Sequence, residues 1–148
     1  MSPMLRNVVA VVAGAIVGGA VNGMLISLSP SLIPPPPGVD VSDTTSLRNA
    51  IHLFEPRHFV MPFLAHALGT LAGALAAYLI AATHRARMAY VIGALFLLGG
   101  IAASFMIPAP AWYIAADLLG AYLPMAWLAV QIGRRLTRER GVSQPQAA

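Results

Sequence analysis

With 148 residues, 58% of them hydrophobic and only 9% charged, and a mean hydropathy of +0.75, the chain lacks the polar surface of an ordinary soluble domain, of which about a quarter is charged. The formal charge of +4 rests on nine basic residues, all arginine, which flank apolar runs instead of forming one face; this argues for membrane topology and against nucleic acid as a partner. No cysteine is present, which excludes a disulfide framework, a thiolate metal site and a cysteine nucleophile.

These bounds leave room for one integral membrane domain over residues 1–148. The first apolar run, residues 8–28, spans about 21 residues, enough at ~1.5 Å per residue to cross a hydrocarbon core of ~30 Å. A cleaved signal peptide would have a shorter apolar core and a small-residue cleavage site. Ser27, Leu28, Ser29 and Pro30 make a poor one, so a retained anchor is expected.

Residues 29–58 read as the one substantial loop. The proline run 34–37 cannot be helical and suggests a short polyproline II spacer. Asp43 offers N-cap chemistry to a short helix. Leu47, Ile51 and Phe54 fall at i, i+4 and i+7 and give that helix one apolar face, expected to lie on the membrane surface. Pro56 ends it.

The second span is expected over 59–83, the third over 88–107 and the fourth over 111–133. A basic turn at His84, Arg85 and Arg87 separates spans two and three, and Pro108 and Pro110 separate three and four. Trp112, Tyr113 and Trp127 suit headgroup depth near the ends of the last span. Residues 134–148 carry four arginines and then polar residues, and a disordered cytoplasmic tail is expected there. Arg6, Arg85, Arg87, Arg134, Arg135, Arg138 and Arg140 would lie on one side and Arg48 and Arg57 on the other. Seven against two predicts both termini inside and the proline-rich loop outside. The expected fold is therefore an all-α, four-helix transmembrane bundle, N-in and C-in, with a short external amphipathic helix in the first loop.

Small residues recur at helical spacing: Gly14 with Gly18, Gly19 with Gly23, the ladder Ala65, Gly69, Gly73 and Ala77, and Gly99 and Gly100 in span three. Such spacing lets membrane helices approach closely, within one chain or between copies.

Polar residues inside the spans are the candidates for chemistry. Asp117 lies about 7 Å from the bilayer middle, and His66 and Asn22 lie about 5–6 Å from it on the same side, counting ~1.5 Å per residue; Ser104 is somewhat further out. An ionised Asp there costs about 2.5–3.5 kcal/mol unless compensated. With no lysine in the chain, His66 is its natural partner, with Asn22 or Tyr122 as a hydrogen-bond donor. The group reads either as a proton-titrating or cation-binding pair or as a polar network that sets helix register. Pro62 and Pro124 should kink their helices and free the carbonyls of His58 and Gly120. His52, Glu55 and His58 with His66 match no compact metal motif, and no nucleophile context supports a triad of Ser104 or Ser27 with His66 and Asp117. No metal, cofactor or catalytic residue is expected, and no enzyme motif is present.

Four short spans in a chain of this length resemble small multidrug transporters and fluoride channels. The likeness is one of architecture. The former carry an acid in span one, where this chain has Asn22; the latter carry a glycine-rich segment leading to an arginine, which is not found here. The expected function is that of an oligomeric proton- or ion-linked transporter or channel in a bacterial-type cytoplasmic membrane, using His66, Asp117, Asn22, Tyr122 and Ser104. The alternative is a non-enzymatic accessory or assembly subunit of a larger membrane complex. The expected partners are the lipid bilayer and either further copies of the chain or that complex.

Overall fold

Every long helix of this protein touches α3 (Val60–Ile80). The structure, a computed structural model, describes residues 1–142. Among these it is all-helical, 82% helix with no strands. Four helical stretches are long and apolar enough to cross a membrane: Pro3–Leu32, Pro56–Ile80, Arg85–Met106 and Ala111–Arg138.

Helix α1 (Pro3–Leu32) starts where Ser2 accepts the Leu5 N–H at 3.3 Å, with Pro3 at a position whose missing N–H has no helical partner anyway. It runs past the expected end at residue 28 and through Pro30. Proline there removes one bond only, and the ladder resumes at once with the Ile33 N–H donating to the Ser29 carbonyl at 2.8 Å. The proline run is correspondingly shorter as a spacer than expected. Its second half is a tight turn, with the Val39 N–H on the Pro36 carbonyl and Gly38 at φ 81°. That positive φ is the conformation a type II turn needs after Pro37.

Asp43 caps α2 (Thr44–Ala50), accepting the N–H groups of Thr45 and Ser46 at 3.1 and 3.0 Å. Just before it, Ser42 gives its hydroxyl and its N–H to Asp40, which holds that carboxyl below its usual range. Short 3₁₀ turns at Ile51–Leu53 and Pro56–Phe59 then lead into α3. Pro62 produces no kink inside α3. It sits in the first turn, where N–H groups lack helical partners. His58 is buried and joins the two halves of the loop. Its Nδ1 accepts the Glu55 N–H at 2.9 Å, so the ring proton sits on Nε2 and donates to the Pro34 carbonyl at 3.1 Å.

The fourth membrane-length stretch is broken. Helix α4 (Arg85–Met106) is followed by α5 (Ala111–Gly120) and α6 (Leu123–Val142), with Ala121 and Tyr122 between the last two. Sequence placed a kink at Pro124. The break falls just ahead of it because proline donates no bond to Gly120 and is at home in the first turn of the helix that follows, where an N–H has no helical partner anyway. Helix α6 continues to Val142, so residues 134–142 are helical where a disordered tail was expected. Arg134, Arg135, Leu136 and Arg138 are good helix formers, and the Thr137 hydroxyl bonds back to the Gly133 carbonyl at 2.9 Å. The rest of the expected tail, 143–148, lies outside the described residues.

Packing is built on missing side chains. Helix α1 lies antiparallel on α3. A Cβ on Gly14 would come within 2.6 Å of the Gly73 carbonyl, and one on Gly18 within 2.7 Å of the Gly69 carbonyl. Backbones in such contact are how membrane helices gain dispersion energy where lipid and side chain are equally apolar. Ala74, Ala77 and Tyr78 of α3 then bury against Ala89 and Ile92 of α4 and Ala126, Ala129 and Val130 of α6. Gly133 makes room for the ring of Tyr78.

The start of α1, the end of α3, the start of α4 and the end of α6 share one end of the bundle, with Arg6, Arg85, Arg87, Arg134, Arg135 and Arg138. There Asn7 accepts the N–H groups of Ala82 and Thr83, and Arg6 donates to the Ile80 carbonyl at 2.7 Å. Groups left open at the α3 C-terminus are thus satisfied by α1, with a cation at the negative end of the helix dipole. The opposite end carries Arg48, Arg57 and the long loop. The α2 segment turns Leu47, Ile51 and Phe54 inward over a cavity, and not onto a membrane surface as its periodicity suggested.

Candidate functional site

His66 stands on α3 less than two turns from its start, and Asp117 on the last turn of α5. Their side chains meet: His66 Nδ1 lies 2.8 Å from Asp117 Oδ1. Tyr122 donates its hydroxyl to the other oxygen, Oδ2, also at 2.8 Å, and its ring stacks on the imidazole with centroids 5.9 Å apart.

The Tyr122 bond depends on the helix break. In an unbroken helix residues five apart point about 140° away from each other, and only i+3 and i+4 neighbours meet. The interruption at Ala121 and Tyr122 folds the phenol back toward Asp117. Gly100 of α4 completes the arrangement, since a Cβ there would collide with the Tyr122 hydroxyl. Thr70, fully buried, closes the next turn of α3 with its hydroxyl on the His66 carbonyl at 2.7 Å.

Asp117 is 5% exposed. An ionised carboxylate so placed is tolerable because each oxygen accepts a hydrogen bond. Since His66 Nδ1 faces the carboxylate, it carries a proton, and Nε2 is the nitrogen left to gain or lose one. The His66 side chain keeps 25% of its surface and lines a cavity of about 310 Å³. Asp117, Tyr113, Phe59, His58 and Ser104 line the same space, and the inward face of the α2 segment roofs it. Among the described residues, no arginine lines it. Arg57 at the rim pairs with Glu55 at 3.0 Å, both largely exposed, where solvent and salt weaken the pair.

Of the residues that sequence proposed as a site, the structure therefore joins His66 and Asp117, grouped by depth, with Tyr122, named as a possible donor, in one hydrogen-bonded unit. Ser104 lines the cavity, but its hydroxyl is turned back to the Ile101 carbonyl at 2.7 Å. Asn22 stands apart. It packs over Gly69, and its Oδ1 is the one buried side-chain polar atom without a partner among the described residues. Gly14, Gly18, Gly69 and Gly73 lie in the α1–α3 contact and Gly100 under Tyr122, whereas Gly19, Gly23 and Gly99 face open space.

Sequence reasoning missed the aromatic wall and the buried His58. Phe54 and Phe59 could have been flagged as a cluster with Tyr113 only by knowing that the loop folds back. Among the described residues, no three His, Asp or Glu side chains gather as metal ligands. No family model, curated protein or solved structure matches the chain.

Proposed function

We propose that the chain is a small proton-linked transporter whose titrating unit is the His66–Asp117 pair. One observation carries this reading: a histidine with one nitrogen committed to a buried carboxylate and the other without a hydrogen-bond partner among the described residues, at the wall of a cavity that no described arginine lines. Asp117 fixes the imidazole tautomer and its orientation. Tyr122 holds the carboxylate in place. Loading and unloading then require only that Nε2 take up and release a proton while the cavity is open to one side.

The surrounding membrane is inferred to be a bacterial-type cytoplasmic one, with both termini inside, from the arginine excess at the end that holds the α1 start and the α6 end. The cavity would then open toward the outside, beneath the roof made by the α2 segment. A single four-helix unit offers a narrow path, and an oligomer is the natural working form.

In liposomes with an internal pH dye, the wild-type chain is expected to carry a proton flux and Asp117→Asn to lose most of it. An Asp117→Asn variant that conducts like the wild type would overturn the assignment. A second reading, an accessory subunit docked in a larger membrane complex, is favoured by the outward small residues Gly19 and Gly23, which leave a shallow stripe on α1 with none of the described residues against it.

A further inference from the structure

We propose that the cavity beside His66 selects a small hydrophobic cation, and that this cation and a proton occupy the site in turn. The inference rests on the proton-linked reading of the same pair and adds the class of solute.

The walls point to the charge of the guest. Phe54, Phe59 and Tyr113 line the cavity, with Phe59 and Tyr113 tilted against each other at 4.7 Å and Phe54 at 6.1 Å from Phe59. Aromatic faces carry negative electrostatic potential and attract ammonium groups, most strongly where water is excluded. The remaining walls are aliphatic, among them Ile51, Ile114 and Leu118, and suit an apolar body. A cavity of about 310 Å³ lies at the small end of the range for bound organic molecules. It takes a substituted ammonium with one ring or short chain.

The charges agree with the walls. Asp117 is the one acid lining the cavity among the described residues. Facing the pair from the other elements are Tyr122 beside α6, already bonded to Asp117, and Tyr113 on α5. His58 ahead of α3 has both ring nitrogens engaged by backbone, accepting the Glu55 N–H and donating to the Pro34 carbonyl. Helix α4 offers Ser104 and the α2 segment Thr44, neither of them charged, and α1 offers only the apolar Ile26. With His66 neutral, the site therefore holds one net negative charge that no neighbouring cation balances. An ammonium entering beneath the aromatic wall restores that balance, whereas a carboxylate or phosphate meets only repulsion. When His66 Nε2 takes a proton, the pair becomes neutral and the imidazolium repels a second cation. Occupation by one therefore expels the other, which is the requirement for exchange.

The test uses the full chain in detergent with three probes: benzyltrimethylammonium, its uncharged carbon analogue neopentylbenzene, and phenylacetate. Calorimetry at mildly alkaline pH should show the ammonium binding at least about tenfold tighter than the neutral analogue. Its affinity should fall by up to about tenfold per pH unit as the pair becomes protonated, with proton release seen as a buffer-dependent heat. Asp117→Asn should bind ammonium and analogue alike, and Phe59→Leu should weaken the ammonium more than the analogue. Equal binding of ammonium and analogue by the wild type, tighter binding of phenylacetate, or cation binding without proton release at the lower pH where affinity falls would overturn the proposal. The wild-type measurements decide this even if a variant fails to fold. Cation binding with proton release but no flux in liposomes would remove the transport reading and leave this one standing. Proton flux without cation preference would do the reverse.

Discussion

Asp117 is accommodated by donors that reach it from two different places in the chain, His66 from α3 and Tyr122 from beyond the helix break. Removing one should be felt. Tyr122→Phe leaves Oδ2 buried without its donor, and an unsatisfied buried acceptor of this kind costs about 1–3 kcal/mol. The expected result is a lower melting temperature in detergent, matched by Gly100→Ala, whose methyl would displace the same hydroxyl. A Tyr122→Phe protein as stable as the wild type would mean that the bond contributes nothing. At this scale the shared level of His66 and Asp117 along the bundle was legible, because level is a count of residues at a fixed rise. Their facing each other was not. Asn22 and Ser104 share nearly the same depth and yet take no part in the bond, because direction around a helix axis depends on which neighbours it packs against.

Among the elements, the two glycine registers of α1 behave differently. Gly14 and Gly18 touch the backbone of α3, whereas Gly19 and Gly23 touch nothing. A valine at Gly14 or Gly73 has to force two backbones apart, and overpacking of this kind costs about 1–3 kcal/mol or more. Either variant should unfold at clearly lower temperature. Gly19→Leu and Gly23→Leu should leave the isolated chain as stable as before, and native mass spectrometry should show whether they strip it of a partner or of further copies. Equal destabilisation by Gly14→Val and Gly19→Leu would contradict the α1–α3 contact. The G-x-x-x-G spacing announced close packing but not which of two offset pairs makes it, since both have the same period. The amphipathic α2 segment was ambiguous in the same way. Leu47, Ile51 and Phe54 make an apolar face that lipid and a cavity satisfy equally well.

For the whole molecule, orientation rests on arginine, and one labelling experiment checks it. The chain has no cysteine, so a single introduced thiol reports without background. Thr45→Cys, exposed at the loop end, should react with a membrane-impermeant maleimide added to intact cells. Arg138→Cys, exposed near the opposite end, should react only after permeabilisation. The opposite pattern would invert the proposed topology. The four membrane-length helices and the all-helical fold were written in the sequence by itself, because hydropathy and segment length are properties of a linear chain and the bilayer sets a fixed thickness for them. The same holds for the short helix capped by Asp43, whose signal lies within a few residues. What only the tertiary structure decided is where the chain returns on itself: the break ahead of Pro124 that turns Tyr122 back to Asp117, the loop that folds its aromatic residues over His66, and the capping of α3 by Arg6 and Asn7. Each joins residues tens of positions apart or depends on rotation about a helix axis. Those relations are set by which faces can pack at backbone contact, and no local pattern of residues encodes them.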